Sequence, residues 1–141
     1  MKTILLAVSA LSIVASSALA DPIADRKASM KERGAIAFGQ LGPIAKGDKP
    51  FDAAAVMTAL EALDANAKKF DIDVLFPAGS ESPKTSPKIW EDMAGFKAAE
   101  GAYEAAIGAA IAAKPQDLAA FQPLFGEIGK NCGACHSAYR M

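Results

Sequence analysis

Histidine occurs once in this 141-residue sequence and cysteine twice, and all three stand together in Cys132-Gly133-Ala134-Cys135-His136. That scarcity excludes several kinds of chemistry. A structural zinc site takes four Cys or His ligands, which this chain cannot supply. No Ser/His/Asp or paired-carboxylate arrangement stands out, and the lone His already belongs to the cysteine cluster, so no enzyme is expected. Apolar/polar alternation of the strand type is also missing. A thioredoxin-like redox pair needs a βαβ setting and is disfavoured for that reason. A disulfide between Cys132 and Cys135 would close a very short loop at awkward geometry. There is no basic block, with Lys+Arg 15 against Asp+Glu 16 and a net charge of −1. Nucleic acid is therefore not an expected partner.

Long apolar runs are lacking after the first residues. Met1-Lys2, the apolar stretch Ile4 to Val14 and the small residues Ala18-Leu19-Ala20 form the three parts of a secretory signal. The stretch falls short of the ~20 residues that span a bilayer. Residues 1–20 are thus expected to be a leader cleaved before Asp21, leaving 21–141 as a single exported domain. A periplasmic location follows, with no membrane association once the leader is removed.

The remainder is Ala-rich and reads as helix almost throughout. From about Ile23 to Ala45, Met30, Gly34, Ala37, Leu41 and Ile44 share a stripe, with Pro43 expected to kink or end the helix. Gly47-Asp48-Lys49-Pro50 is a turn signal. Asp52 caps a second helix whose face carries Val56, Leu60, Leu63, Ala67 and Phe70. A polar link rich in Pro, Ser and Gly, from about Leu75 to Ser86, is expected outside the core. Ser86-Pro87 opens a third helix with Trp90, Met93, Phe96, Tyr103, Ile107 and Ile111 on its stripe. Met57 and Met93 read as core filler. After Pro115, Leu118, Phe121, Phe125, Ile128, Cys132, Cys135 and Tyr139 keep the same rhythm, with a kink or break expected at Pro123. These segments predict an all-α, antiparallel four-helix bundle.

The spacing of the cluster carries the chemistry. On a helix, Cys132, Cys135 and His136 stand at i, i+3 and i+4 and project from one face. Two thiols so placed can each add to a haem vinyl group, with the imidazole left beneath the porphyrin to bind iron. C-x-x-C-H reads as c-type haem attachment on these grounds. The cofactor expected is one covalent haem c with its iron. Gly126, Gly129 and Gly133 each cost the helix about 1 kcal/mol relative to Ala. Either a closely approaching porphyrin or helix, or a bend around Pro123, accounts for them. Arg140 lies one turn beyond His136, where it can meet a propionate or stand as a solvated charge at the helix end.

With the motif at the far C-terminus and followed by Tyr139-Arg140, the chain resembles the class II cytochromes c, which include the cytochromes c prime and their low-spin relatives. Arg26-Lys27-Ala28-Ser29-Met30-Lys31, Ala45-Lys46-Gly47, Leu75-Phe76-Pro77-Ala78-Gly79 and Pro87-Lys88-Ile89-Trp90 carry the likeness along the chain. The resemblance implies haem held between the helices, His136 proximal, and helix one over the opposite haem face. It also implies that Arg26 and Arg140 lie near the propionates.

The stretch Met30-Lys31-Glu32-Arg33-Gly34 looks more like the low-spin branch, in which a Met binds iron. Met30 is accordingly expected as distal ligand, in a one-electron carrier that meets a redox partner protein transiently. The alternative is a five-coordinate cytochrome c prime that binds nitric oxide or carbon monoxide at an open distal site. Family members are often dimeric, and a homodimer is left open.

Overall fold

A computed structural model describes residues 21–141; the expected leader and its cleavage point lie outside the described residues. The first helix, α1 (Pro22–Gly34), starts where Asp21 accepts hydrogen bonds from the N–H groups of Ile23 and Ala24 at 3.0 and 3.1 Å. It passes without a break into a π-helical turn, Ala35–Leu41, and then into α2 (Gly42–Ala45). Proline has no N–H to give. Ahead of Pro43 the chain widens its register instead, with the Gly42 N–H bonding to the Ala37 carbonyl five residues back. The helix therefore continues past Pro43 and ends at Ala45. Gly47, at φ +80°, then turns the chain in a conformation that favours glycine.

The second long helix, α3 (Ala53–Lys69), is capped by Asp52, whose carboxylate accepts from the Ala55 N–H at 3.0 Å. The expected face is buried: Val56, Leu60, Leu63 and Ala67 are inside, and Phe70 closes the end. The following link differs from the expectation. A short helix, α4 (Ile72–Leu75), leads into it, and within the link Leu75, Phe76 and Ser80 are buried. Phe76 is drawn in by aromatic packing, edge-on to Phe96 at 4.8 Å and to Phe70 at 5.9 Å between ring centres. Polar composition describes only the later part of this link.

The third helix is likewise divided. Ser86 does accept the Lys88 N–H at 3.2 Å, but α5 stops after Lys88–Glu91. The long helix, α6 (Met93–Ala113), starts afresh on Asp92. Asp92 accepts from both the Gly95 N–H at 3.0 Å and the Tyr139 hydroxyl at 3.1 Å. A side chain at residue 95 would run into Asp92 and the Tyr139 hydroxyl, which accounts for Gly95. α6 ends at Lys114 in the left-handed conformation, just ahead of Pro115.

The last helix, α7 (Leu118–Tyr139), is a single piece, contrary to the break expected at Pro123. Pro123 sits in the second turn, and both it and Ala119, whose carbonyl loses its donor, face solvent. The lost hydrogen bond is therefore offset by water, and the helix does not divide.

The helix α1–π–α2 together with α3, α6 and α7 makes an antiparallel four-helix bundle. No strand is present among the described residues, only an isolated bridge between Thr85 and Arg140. One core cluster joins the π turn, α3, α6 and α7 around Leu41, Leu60, Ile107, Phe121 and Ile128, with Met57 packed at its margin. A second gathers Phe70, Phe76, Ile89, Phe96 and Tyr139 near the other end, with Met93 against it. Phe121 is fully buried. Phe121→Ala is expected to cost about 3–5 kcal/mol, the range for a large aromatic removed from a packed core. Urea denaturation followed by far-UV circular dichroism would measure it, and an unmoved midpoint would contradict this packing.

Candidate functional site

Helix α7 approaches its C-terminus with one face not committed to the core. A cavity of about 710 Å³ lies on that face, with α1 as the opposite wall and α6 and Ile89 closing it. Its size falls within the roughly 300–1,000 Å³ of small-molecule and cofactor sites. Cys132, Cys135 and His136 all line it, as one helical face requires.

The end of α7 is fixed from several directions. The Ser86 N–H donates to the Tyr139 carbonyl at 3.0 Å, and the Met141 N–H to the Lys84 carbonyl at 3.3 Å. Tyr139 also packs on Phe96 at 5.1 Å and donates its hydroxyl to Asp92. His136 is thereby held in register with the wall formed by residues 82–85.

The two cysteines are free thiols, each half-buried. Burial raises both thiols above their ordinary range, Cys135 to about 11, with the Glu100 carboxylate adding to the rise there. His136 is shifted the other way. Partial burial, then the positive charges of Arg140 and Arg33, lower its pKa and favour the neutral imidazole whose nitrogen lone pair can bind a metal.

Across the cavity, Met30 lines the α1 wall and is partly buried. Arg26 and Arg140 line it as well. All six residues singled out in the sequence are thus brought to one cavity. Arg26 is already engaged, however. Its guanidinium donates to the Leu75 carbonyl at 3.1 Å, to Ser80 Oγ at 3.1 Å and to the Ser80 carbonyl at 2.5 Å. It also lies over the Phe76 ring at 4.8 Å, tying down the link that follows α4. Arg140 is exposed.

Sequence reasoning overlooked two charged residues in the same wall, Arg33 and Glu100. The signal was available. Arg33 stands seven residues after Arg26 and three after Met30, on the same face of α1. Glu100 interrupts the apolar stripe of α6 between Phe96 and Tyr103.

The residues present fit a covalently held haem. Paired thiols and an imidazole converge on one apolar-walled space. Gly129 and Gly133 line that space, and a side chain added at either would meet nothing within 4 Å. Missing side chains there leave room for a flat group against the helix. This favours cofactor approach over a bend as the reason for these two glycines, since α7 is unbroken.

Comparison with known proteins agrees with that fit. The family model described as Cytochrome C' matches residues 21–140. A cytochrome c-556 of Agrobacterium fabrum is 38% identical over 123 residues, covering 86% of this chain and 82% of its own. A cytochrome c' of Alcaligenes xylosoxydans xylosoxydans is 36% identical over 105 residues, covering 73% and 80%. A solved nitric oxide complex of a mutant cytochrome c prime from Alcaligenes xylosoxidans superposes with a TM-score of 0.74 at 32% identity, covering 84% of this chain and 93% of that one. These matches do not place the chain in the low-spin, His/Met-ligated branch that the Met30 stretch resembles. The chain belongs to the cytochrome c' family, and its cofactor is a covalently attached haem c with iron.

Proposed function

We propose that the protein is an exported, periplasmic mono-haem cytochrome whose iron is bound by His136 and left open toward α1 to a small gas, nitric oxide or carbon monoxide. Cys132 and Cys135 form the thioethers. The observation that carries the reading is the packing of Met30: it lies against the apolar cluster that holds Ile89 and Phe96, and the α1 wall offers no imidazole. Likeness to a cytochrome c prime solved as its nitric oxide complex supports the same reading.

Bound haem supplies a one-electron couple and, where an iron position is open, a site for a diatomic ligand. The chain's own residues do the rest. The anchoring of Tyr139 holds the backbone that carries His136 in register, and the lowered imidazole pKa favours the neutral ligand form. Phe76, Phe96 and Ile89 exclude water from one side. Arg140, exposed at the rim, is placed to balance propionate charge, while Arg26 does so only alongside its hold on Ser80.

One observation favours a second reading. Met30 is partly buried in the α1 wall, and its thioether is the single soft donor there apart from the two cysteines. Ligation by Met30 closes the iron, raises its potential and makes the protein an electron carrier for a transient partner.

Absorption spectra of the purified holoprotein, ferric and ferrous, with and without carbon monoxide, separate the two. The open-site reading predicts a high-spin spectrum whose ferrous bands shift on adding the gas. A low-spin spectrum that ignores carbon monoxide would overturn it in favour of Met30. Met30→Ala provides a further check: the spin state should stay high and carbon monoxide binding should change modestly, through altered packing alone. Conversion of a low-spin spectrum to a high-spin one by this substitution would identify Met30 as a ligand.

A further inference from the structure

A charged pair is buried in the wall of the haem cavity. Arg33 on α1 and Glu100 on α6 meet in a bidentate ion pair at 3.0 and 2.5 Å, with side chains only 10% and 8% exposed. The Arg33 Nε–H donates to Asn66 Oδ1 on α3 at 2.7 Å. The guanidinium also lies over two aromatic rings, Phe70 at 4.3 Å and Tyr103 at 4.8 Å. Asn66 in turn donates to Glu32 at 2.6 Å. One guanidinium thus joins α1, α3 and α6 and leaves α7 to carry the haem.

Stability alone is a poor reason for such an arrangement. Withdrawing two charges from water is costly, and apolar residues of similar volume often serve a fold as well or better. What an apolar pair cannot provide is a fixed field inside the cavity. Placing an electron on the haem adds negative charge, which Arg33 stabilises and Glu100 opposes. In the low-dielectric wall neither effect is screened as it would be at the surface.

We propose that Arg33 and Glu100 form a charge-compensated pair that sets the reduction potential of the haem, Glu100 cancelling most of the field that Arg33 exerts on it. The pair acts under either mode of distal ligation. The inference rests on haem being attached at Cys132 and Cys135. A preparation with no visible haem band speaks against that attachment; haem with an unmoved midpoint speaks against the pair.

Spectroelectrochemical titration of the haem-loaded protein tests it. Glu100→Gln keeps the shape and leaves Arg33 unopposed, so the midpoint should rise. At a fixed poise the ferrous-to-ferric ratio should increase by roughly tenfold, the scale of one unit charge about 12 Å away at an effective dielectric constant of about 20. The double variant Arg33→Met/Glu100→Leu removes both charges and should titrate close to the unaltered protein. If Glu100→Gln fails to retain haem, Arg33→Gln supplies the converse test, with the midpoint expected to fall. An unmoved midpoint in the single variants, or a double variant displaced as far as Glu100→Gln, would show a purely structural contact and overturn the inference.

Discussion

Cys132, Cys135 and His136 have to face the same way, and in a chain of this kind only a helix can bring them there. The steps of three and four residues put them on one side of α7. That side is then withdrawn from the core, because a flat cofactor must lie against it. The bundle is arranged around this constraint. Phe121 and Ile128, earlier on α7, pack into the main core, while past them Gly129 and Gly133 leave the cavity side bare. The second cluster, from Phe70 to Tyr139, supplies apolar wall to the cavity through Phe76, Ile89, Phe96 and Tyr139.

Building a cavity between helices leaves polar groups in its walls, and those that are buried have each been given a partner. Arg26 holds the link after α4 through Ser80, and Arg33 holds three helices through Glu100 and Asn66. No buried side-chain nitrogen or oxygen among the described residues lacks a hydrogen bond. Such networks rigidify a site only when every member is satisfied. Here that rigidity serves α1, which forms the cavity wall across from α7.

The long helices were legible because their apolar residues recur at the helical period, and Asp52 caps where its sequence position suggests. Three local features were not. Pro43 and Pro123 looked like breaks, but a π turn absorbs one and solvent exposure of the second turn of α7 tolerates the other. Asp92 divides the third helix because it serves Gly95 and Tyr139 together, a tertiary contact that no window of sequence contains. The attachment motif was readable since it is local. The Arg33–Glu100 pair spans 67 residues, and its clue was a charge within an apolar stripe, easily taken for a helix surface. The distal ligand was not readable, because Met serves equally as packing or as donor.

The claim on which the rest depends is the covalent attachment of haem to α7. Peptide mapping by mass spectrometry, on protein purified from a host that exports and matures cytochromes, tests it most directly. The account predicts one haem retained through denaturation and found on the peptide that contains both Cys132 and Cys135. Unmodified cysteines, a disulfide between them, or haem that extracts into acidified solvent would contradict it.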